Sequence, residues 1–298
     1  MALRRNFLAG LAGSAVTVST AGAQIGNLLA EPEPRRRGRI RQGIWKTVFG
    51  ADTTLSLDDM CRIATHLGIQ GFDLIAEQDW PLLRRHGLRP LMVEGPYSSF
   101  DNGIIHPEFH DQYEALARPW IDSCARNEVA TTAFIGGLQR QLNSEQALDN
   151  AVVFFNRIKS QLEDSHVVAG LENINNRYDE PGYSRAGQVF GPFEWGLELV
   201  RRVDSPNVKL ICDLYHLQMQ DGNIARTIRE NIASICHFHV AGVPGRNELD
   251  HTQEVNFRYI AEVIAATGFS GYVAHEWRPT PGRDPLQSLK QCLDVMDV

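Results

Sequence analysis

Residues 167–173 read Val-Val-Ala-Gly-Leu-Glu-Asn, a short apolar run that ends in a carboxylate and an amide. Short apolar runs with β-branched residues are typical of strands buried in a parallel sheet. Seven further runs of this kind occur along the chain, and amphipathic stretches separate them. The eight predicted strands are residues 43–49, 71–75, 90–95, 130–135, 167–173, 208–215, 235–241 and 271–277.

The stretches between these runs carry helix signals. Ser56 and Ser144 each precede apolar residues at helical spacing and are predicted to start helices, and a third helix is expected over 255–267. Pro119 lies inside an apolar stretch, where we expect it to kink or split a helix. Eight strands that each precede a helix predict an α/β protein with a single (β/α)₈ barrel rather than an open, doubly wound sheet.

Composition narrows the classes of function. The chain has 298 residues, of which 43% are hydrophobic and 22% charged, as in an ordinary globular protein. Its formal charge of −7 argues against a general affinity for nucleic acid. No G-x-G-x-x-G or P-loop motif follows the first strand, so the usual nucleotide-binding sites are not expected.

The N-terminus has the pattern of an export signal. Arg4 and Arg5 precede an apolar stretch, and an Ala-Gly-Ala sequence ends at Ala23. We therefore predict a twin-arginine-type signal over 1–23, a periplasmic or exported protein, and no stable membrane insertion after cleavage. An uncleaved anchor is the alternative. Residues 24–40, which include an arginine-rich run, are predicted to be a solvated linker, and residues 41–298 the barrel domain.

Four successive predicted strands end in polar side chains with metal-ligand chemistry. These are Glu172, Asp213, His239 and Glu276, and their separations of 41, 26 and 37 residues suit one βα unit each. A single residue of this kind is more often a helix cap or a core residue. Helix caps alone, however, would not be expected to recur at the ends of four successive strands. Because active sites of such barrels lie at the C-terminal ends of the strands, we predict a divalent metal site there. Three carboxylates and one imidazole favour Mg²⁺ or Mn²⁺, with Co²⁺ and Zn²⁺ as alternatives.

The same segments resemble a known family. They are Glu-Asn-Ile-Asn at 172–175, Asp-Leu-Tyr-His at 213–216, His-Val-Ala-Gly-Val-Pro-Gly-Arg at 239–246 and His-Glu-Trp at 275–277. This set resembles the hydroxypyruvate isomerase family of xylose-isomerase-like barrels, most densely over 167–279. Asn247 and Leu249 depart from the family's usual Arg-His-Glu-Pro-Asp and put the identity of the substrate in doubt.

The resemblance implies roles for these residues. Glu172 and Glu276 would be the acid/base pair and also bind the metal, and Asp213 would be a ligand. Many members of the family carry Gln where this chain has His239, whereas related sugar epimerases carry His. The implied reaction converts hydroxypyruvate to tartronate semialdehyde by proton transfer through an enediolate.

Further side chains are candidates for the substrate. Arg246 is predicted to clamp the substrate carboxylate, because a guanidinium fits a carboxylate with two hydrogen bonds. His216 is predicted to hydrogen-bond a substrate oxygen. Glu94 also ends a strand and is a further candidate, His237 is expected deeper in the barrel, and His275 is expected to point away from the site.

Other functions remain open at this stage. A ketose 3-epimerase or another sugar isomerase would use the same four ligands in a pocket of different size. An abasic-site endonuclease is disfavoured by the acidic charge. The alternative of another class is a non-catalytic periplasmic protein that binds a sugar or a metal. The partner is a small hydroxy-carbonyl or sugar substrate, and the sequence leaves open whether the chain forms a homo-oligomer.

Overall fold

The computed structural model describes residues 25–97, 99–179 and 186–298. Within these ranges the chain forms one sheet in which every pairing is parallel, in the order β3-β2-β1-β9-β8-β7-β6-β5-β4. The strands are β1 Arg41–Trp45, β2 Gly71–Asp73, β3 Arg89–Pro90, β4 Met92–Glu94, β5 Thr131–Phe134, β6 Val168–Glu172, β7 Val208–Asp213, β8 Ile235–Val240 and β9 Tyr272–His275.

The sheet closes on itself through the third predicted strand. That strand is divided into β3 and β4, with Leu91 between them. The amide of Leu91 donates to the carbonyl of Phe72, and the amide of Leu74 donates to the carbonyl of Met92, each at 2.9 Å. These bonds join both halves to β2, so eight strand positions form a barrel, as predicted.

Helices follow the strands and cover the outside of the barrel. They are α1 Leu57–His66, α2 Trp80–Arg85, α3 His110–Arg126, α4 Ser144–Ser165, α5 Phe193–Val203, α6 Leu214–Gln220, α7 Ile224–Asn231, α8 Phe257–Ala266 and α9 Pro285–Met296. Short 3₁₀ turns occupy Lys46–Phe49, Glu77–Asp79, Pro107–Phe109 and Ile232–Ser234. The first of these turns replaces the second half of the first predicted strand.

The helix boundaries mostly follow from capping. The side chain of Ser56 accepts the amide of Asp59 at 3.1 Å, as expected of an N-cap. For α4 the cap is Asn143, one residue before the predicted start, and it forms a capping box with Gln146. Of the two outcomes predicted for Pro119, a split helix is wrong: α3 continues through it, with Ala117 and Ile121 on either side buried in the core.

The segment before β1 lies along the last helix. Residues 25–30 are helical. Farther on, Lys290 of α9 pairs with Glu31 at 2.6 Å, and Asp294 of the same helix pairs with Arg36 at 3.1 Å. Arg36 also donates to the carbonyl of Leu67 at 2.8 Å. Part of the predicted linker is thus attached to the barrel, and Arg36 is partly buried rather than solvated.

Two further predictions concern the export signal and membrane insertion. The predicted export signal, residues 1–23, lies outside the described residues. Among the helices that the structure describes, none combines the length and the apolarity required to cross a bilayer.

Alternation along the strands decides which side chains point into the barrel. On β7, Leu210 and Cys212 pack in the main core between sheet and helices, so Ile211 and Asp213 face the interior. Gly170 of β6 has no side chain, and Ile211 occupies the space beside it. A Cβ on residue 170 would lie 2.7 Å from the side chain of Ile211. The same two-residue period places Glu172 of β6 and His239 of β8 on the inner face, and Glu276, which directly follows β9, lies on the same face.

Candidate active site

The four predicted metal ligands meet at the C-terminal end of the barrel. Glu172 and Asp213 end β6 and β7, His239 lies in β8, and Glu276 follows β9 directly. One oxygen or nitrogen from each residue lies within 4.8 Å of all the others. Donors on opposite sides of one ion, each bound at about 2.0–2.2 Å, stand about 4.4 Å apart. The donor set therefore fits a divalent ion, and its three carboxylates need a positive charge when they are buried together.

The imidazole of His239 lies at the centre of the cluster. Its Nδ1 is 2.7 Å from Glu172, 2.9 Å from Glu276 and 4.0 Å from Asp213. The ring is buried, as are Asp213 and Glu276, while Glu172 is partly exposed at the mouth of the barrel. The mouth is therefore the side from which a small molecule can reach the cluster.

Asp213 combines two functions at the end of its strand. Its Oδ1 accepts the amides of Tyr215 and His216 at 2.7 and 3.1 Å, which makes it the N-cap of α6. The side chain of Asn173 brackets its backbone, accepting from the Asp213 amide at 2.8 Å and donating to its carbonyl at 3.1 Å. These contacts hold the second oxygen, Oδ2, towards the cluster.

Arg246, the predicted substrate clamp, lies in the loop after β8 and is buried against the cluster. Its Nη2 donates to Oδ2 of Asp213 at 2.9 Å and to Oε2 of Glu276 at 2.7 Å. Its guanidinium also lies 5.0 Å from the ring centre of Tyr215, a cation–π distance. The cation is thus oriented on two sides before any substrate arrives.

His216, the second predicted substrate residue, contacts the same guanidinium. Nη1 of Arg246 lies 2.8 Å from Nε2 of His216. Because a guanidinium can only donate, Nε2 accepts, while Nδ1 lies 3.2 Å from the side-chain amide nitrogen of Asn175. Burial and the charge of Arg246 lower the pKa of His216, which keeps this ring neutral.

The cluster shifts the pKa values of its members in opposite directions. Burial raises the pKa of Asp213 to about 7, with Arg246 opposing this shift and the charge of Glu276 adding to it. Burial acts on Glu276 in the same sense, but the charges of His239 and Arg246 outweigh it and lower its pKa. For His239, burial is outweighed by the charges of Glu276 and Glu172, so its pKa is raised. The carboxylates thus favour a positive charge at their centre.

Asp73 belongs to the site but was missed in the sequence. Its Oδ2 lies 2.7 Å from Nε2 of His237 and 3.1 Å from Nε2 of His239, and its Oδ1 accepts the amide of Met92. Asp73, His237 and His239 form a second group with metal-ligand chemistry. A carboxylate after the run Gly71-Phe72 is the signal that marked the other strand ends. It was overlooked because Leu74 and Ile75 prolong the apolar run.

The remaining predicted residues lie at the edges of the site. Glu94 ends β4, and its pKa is raised by partial desolvation and by the charge of Glu172 nearby. His275 points away from the cluster, with Nε2 2.9 Å from Gln42 and Nδ1 accepting from Trp277 at 3.3 Å.

The two departures from the family motif have structural partners. Asn247 donates to the carbonyl of Arg278 at 2.9 Å, which ties the loop after β8 to the loop after β9. Leu249 is buried in the main core. Both residues therefore shape the loop that carries Arg246.

Relatives in sequence are isomerases. A protein of Xenopus laevis described as a hydroxypyruvate isomerase is 31% identical over 206 residues, which cover 66% of this chain and 73% of that protein. The hydroxypyruvate isomerase of Escherichia coli (strain K12) is 28% identical over 230 residues, covering 72% and 85%. A 2-oxo-tetronate isomerase of Cupriavidus necator is 37% identical over 112 residues, which span 38% of this chain and 40% of that protein.

Solved structures share the fold at low sequence identity. The crystal structure of an AP endonuclease of family 2 from Brucella melitensis superposes with a TM-score of 0.70 at 22% identity, over 84% of this chain and 96% of that one. A structure of the IOLI protein with a bound zinc atom superposes with a TM-score of 0.66 at 15% identity, over 86% and 98%.

A match to a family model shows which family the chain belongs to. Residues 61–296 match the model described as xylose isomerase-like TIM barrel. Together with the isomerase relatives, this match confirms the predicted resemblance, the barrel and the prediction of an isomerase. The chain belongs to the xylose isomerase-like TIM barrel family.

Proposed function

We propose that the protein is a divalent-metal-dependent isomerase that interconverts hydroxypyruvate and tartronate semialdehyde (2-hydroxy-3-oxopropanoate). The observation that carries this proposal is the convergence of Glu172, Asp213, His239 and Glu276 within 4.8 Å at the barrel mouth. The names of the relatives in sequence support hydroxypyruvate as the substrate.

The four residues would hold the ion. Their oxygen-rich donor set favours Mg²⁺ or Mn²⁺, with Co²⁺ and Zn²⁺ as alternatives. A bound divalent ion would supply the positive charge that polarises the substrate carbonyl. Asp213 keeps one oxygen on the first turn of α6 and offers the other to the site, so its position is fixed independently of the ion.

Glu172 and Glu276 would move the proton. In hydroxypyruvate the hydroxyl-bearing C3 carries two protons and C2 is the carbonyl carbon. One glutamate removes a proton from C3, and a proton is returned to C2 while the hydroxyl proton passes from the oxygen on C3 to that on C2. No electron leaves the substrate, so the reaction needs no redox cofactor. Both carboxylates lie within 3 Å of the same nitrogen of His239, so they face the same small volume.

Arg246 and His216 would orient the substrate. The substrate carries one negative charge, and Arg246 is the buried cation beside the glutamates. Asp213 and Glu276 hold its fork in place, and the neutral ring of His216 lies against it. A buried guanidinium that is already oriented loses little conformational entropy when it binds a carboxylate.

The cellular location is part of the proposal. A twin-arginine-type signal over 1–23 would carry the folded protein to the periplasm. Fractionation of cells that produce the full chain tests this, and a protein found only in the cytoplasm would refute it.

The reaction is tested by proton exchange. The purified protein, loaded with Mn²⁺ or Mg²⁺, is incubated with hydroxypyruvate in D₂O, and the loss of the C3 proton signal is followed by NMR. Metal-dependent exchange is the expected result. Exchange with 2-oxo-tetronate or ketoses alone would reassign the enzyme to another sugar isomerase or an epimerase. No exchange with any of these compounds would favour the non-catalytic binding protein.

A further inference from the structure

The two ring nitrogens of His239 have separate partners. Nδ1 faces Glu172 and Glu276 at 2.7 and 2.9 Å. Nε2 faces the opposite way and lies 3.1 Å from Oδ2 of Asp73. A neutral imidazole carries a proton on one nitrogen and a lone pair on the other, so the partner of Nε2 decides what Nδ1 can bind.

Asp73 is fixed from three directions. It ends β2 with only 1% of its surface exposed. Its Oδ1 accepts the amide of Met92 at 3.1 Å, and its Oδ2 lies between His239 and Nε2 of His237, the latter at 2.7 Å. An ionised carboxylate can only accept, so both Nε2 atoms carry protons that they donate to Asp73.

We propose that Asp73 is a positioning residue that holds the proton of His239 on Nε2 and so leaves Nδ1 for the metal ion. This inference rests on the proposed function, in which His239 is a ligand. His237 occupies the other lone pair of Oδ2 and prevents the carboxylate from turning away. A carboxylate behind a ligating histidine also makes the ligating nitrogen more basic.

The variant Asp73→Asn tests the proposal sharply. Its amide oxygen would keep the bond from the amide of Met92, so its NH₂ group would face the two Nε2 atoms. Because NH₂ can only donate, Nε2 of His239 would have to accept and the proton would move to Nδ1. We expect the Kd for Mn²⁺ to rise by about 10- to 100-fold, as is typical when such a partner is lost.

The measurements use the full chain. Calorimetric titration gives the affinity and the number of Mn²⁺ ions, and ¹⁵N-histidine NMR of the Zn²⁺-loaded wild type shows which nitrogen of His239 is protonated. The proposal expects one ion, a proton on Nε2, and weaker binding by Asp73→Asn. An unchanged Kd in this variant overturns it. So does a wild-type proton on Nδ1, or a second ion that is lost with Asp73, since that ion would then lie between Asp73, His237 and His239.

Controls separate positioning from folding. Asp221→Asn makes the same change on a carboxylate that also accepts a main-chain amide, from Phe193 at 2.8 Å, and it should leave the Kd unchanged. His237→Gln keeps the Asp73–His239 contact and should bind Mn²⁺ more tightly than Asp73→Asn. If Asp73→Asn does not fold, the proposal is tested by the wild type alone, in which NMR shows whether Nε2 or Nδ1 of His239 carries the proton. If the wild type binds no divalent ion, both the proposed function and this inference are refuted. If the wild type binds the ion and isomerises hydroxypyruvate, but Asp73→Asn has the same Kd for Mn²⁺, the inference alone is refuted.

Discussion

Nη2 of Arg246 lies 2.9 Å from Oδ2 of Asp213, so the residue proposed to bind substrate is in contact with a residue proposed to bind metal. The same nitrogen reaches Glu276 at 2.7 Å. If these roles hold, substrate binding, metal binding and the stability of the buried charges depend on one another. A substitution in this network will change more than one measurable property.

Arg246→Gln should destabilise the metal-free protein by about 3–5 kcal/mol, because two buried carboxylates lose their cation. Added Mn²⁺ should recover more of the free energy of unfolding in this variant than in the wild type. Urea unfolding with and without Mn²⁺ measures both effects. Arg226→Gln, which breaks an exposed pair with Glu230, is the control and should cost less than about 1 kcal/mol. Equal losses in the two variants would contradict the network.

Glu172→Gln and Glu276→Gln should each lower kcat by about 10²–10⁴-fold, because the amide keeps the shape of the side chain but cannot accept a proton. The rate of solvent-deuterium incorporation into hydroxypyruvate measures this. Either variant working at nearly the wild-type rate would show that its carboxylate is not one of the proton-transferring groups.

Removal of divalent ions should abolish exchange and lower the thermal stability. An ion present at 100 times its Kd adds about 2.7 kcal/mol to the free energy of unfolding. Dialysis against a chelator, followed by thermal unfolding with and without added Mn²⁺, checks this. Glu172→Gln should show a smaller stabilisation by Mn²⁺, because it lacks one charged ligand. Identical unfolding curves for treated and metal-loaded wild type would exclude a resident ion.

Gly71→Ala should destabilise the barrel by about 1–3 kcal/mol, because a Cβ at this position would lie 1.9 Å from the carbonyl oxygen of Arg89. That contact lies where β2 pairs with β3, at the closure of the sheet. Gly26→Ala is the matched control, since no atom lies within 4 Å of its Cβ. Denaturant titration of both variants compares them. A Gly71→Ala protein as stable as the control would mean that the strands tolerate a wider separation there.

The four strand-end residues could be predicted because each one follows a short apolar run, and their separations of 41, 26 and 37 residues suit one βα unit each. Asp73 carries the same signal, a carboxylate after Gly71-Phe72, but Leu74 and Ile75 prolong the apolar run and place Asp73 inside the predicted strand rather than at its end. The contacts of Arg246 depend on a loop backbone that turns through a positive φ of 54° at this residue, and Pro244-Gly245 before it indicates a turn without fixing where the side chain points.

The parallel pairing of β1 with β9 has a consequence for synthesis of the chain. The first strand leaves the ribosome before all the other described strands, but its neighbour on one side, β9, is translated after them, and Glu276 follows β9 directly. Contacts this distant in sequence form slowly. A nascent chain that stalls before β9 would therefore expose an unpaired edge of β1 and carry three of the four clustered ligand residues without the fourth, so the ion site can be completed only after the segment that includes β9 and Glu276 has been translated.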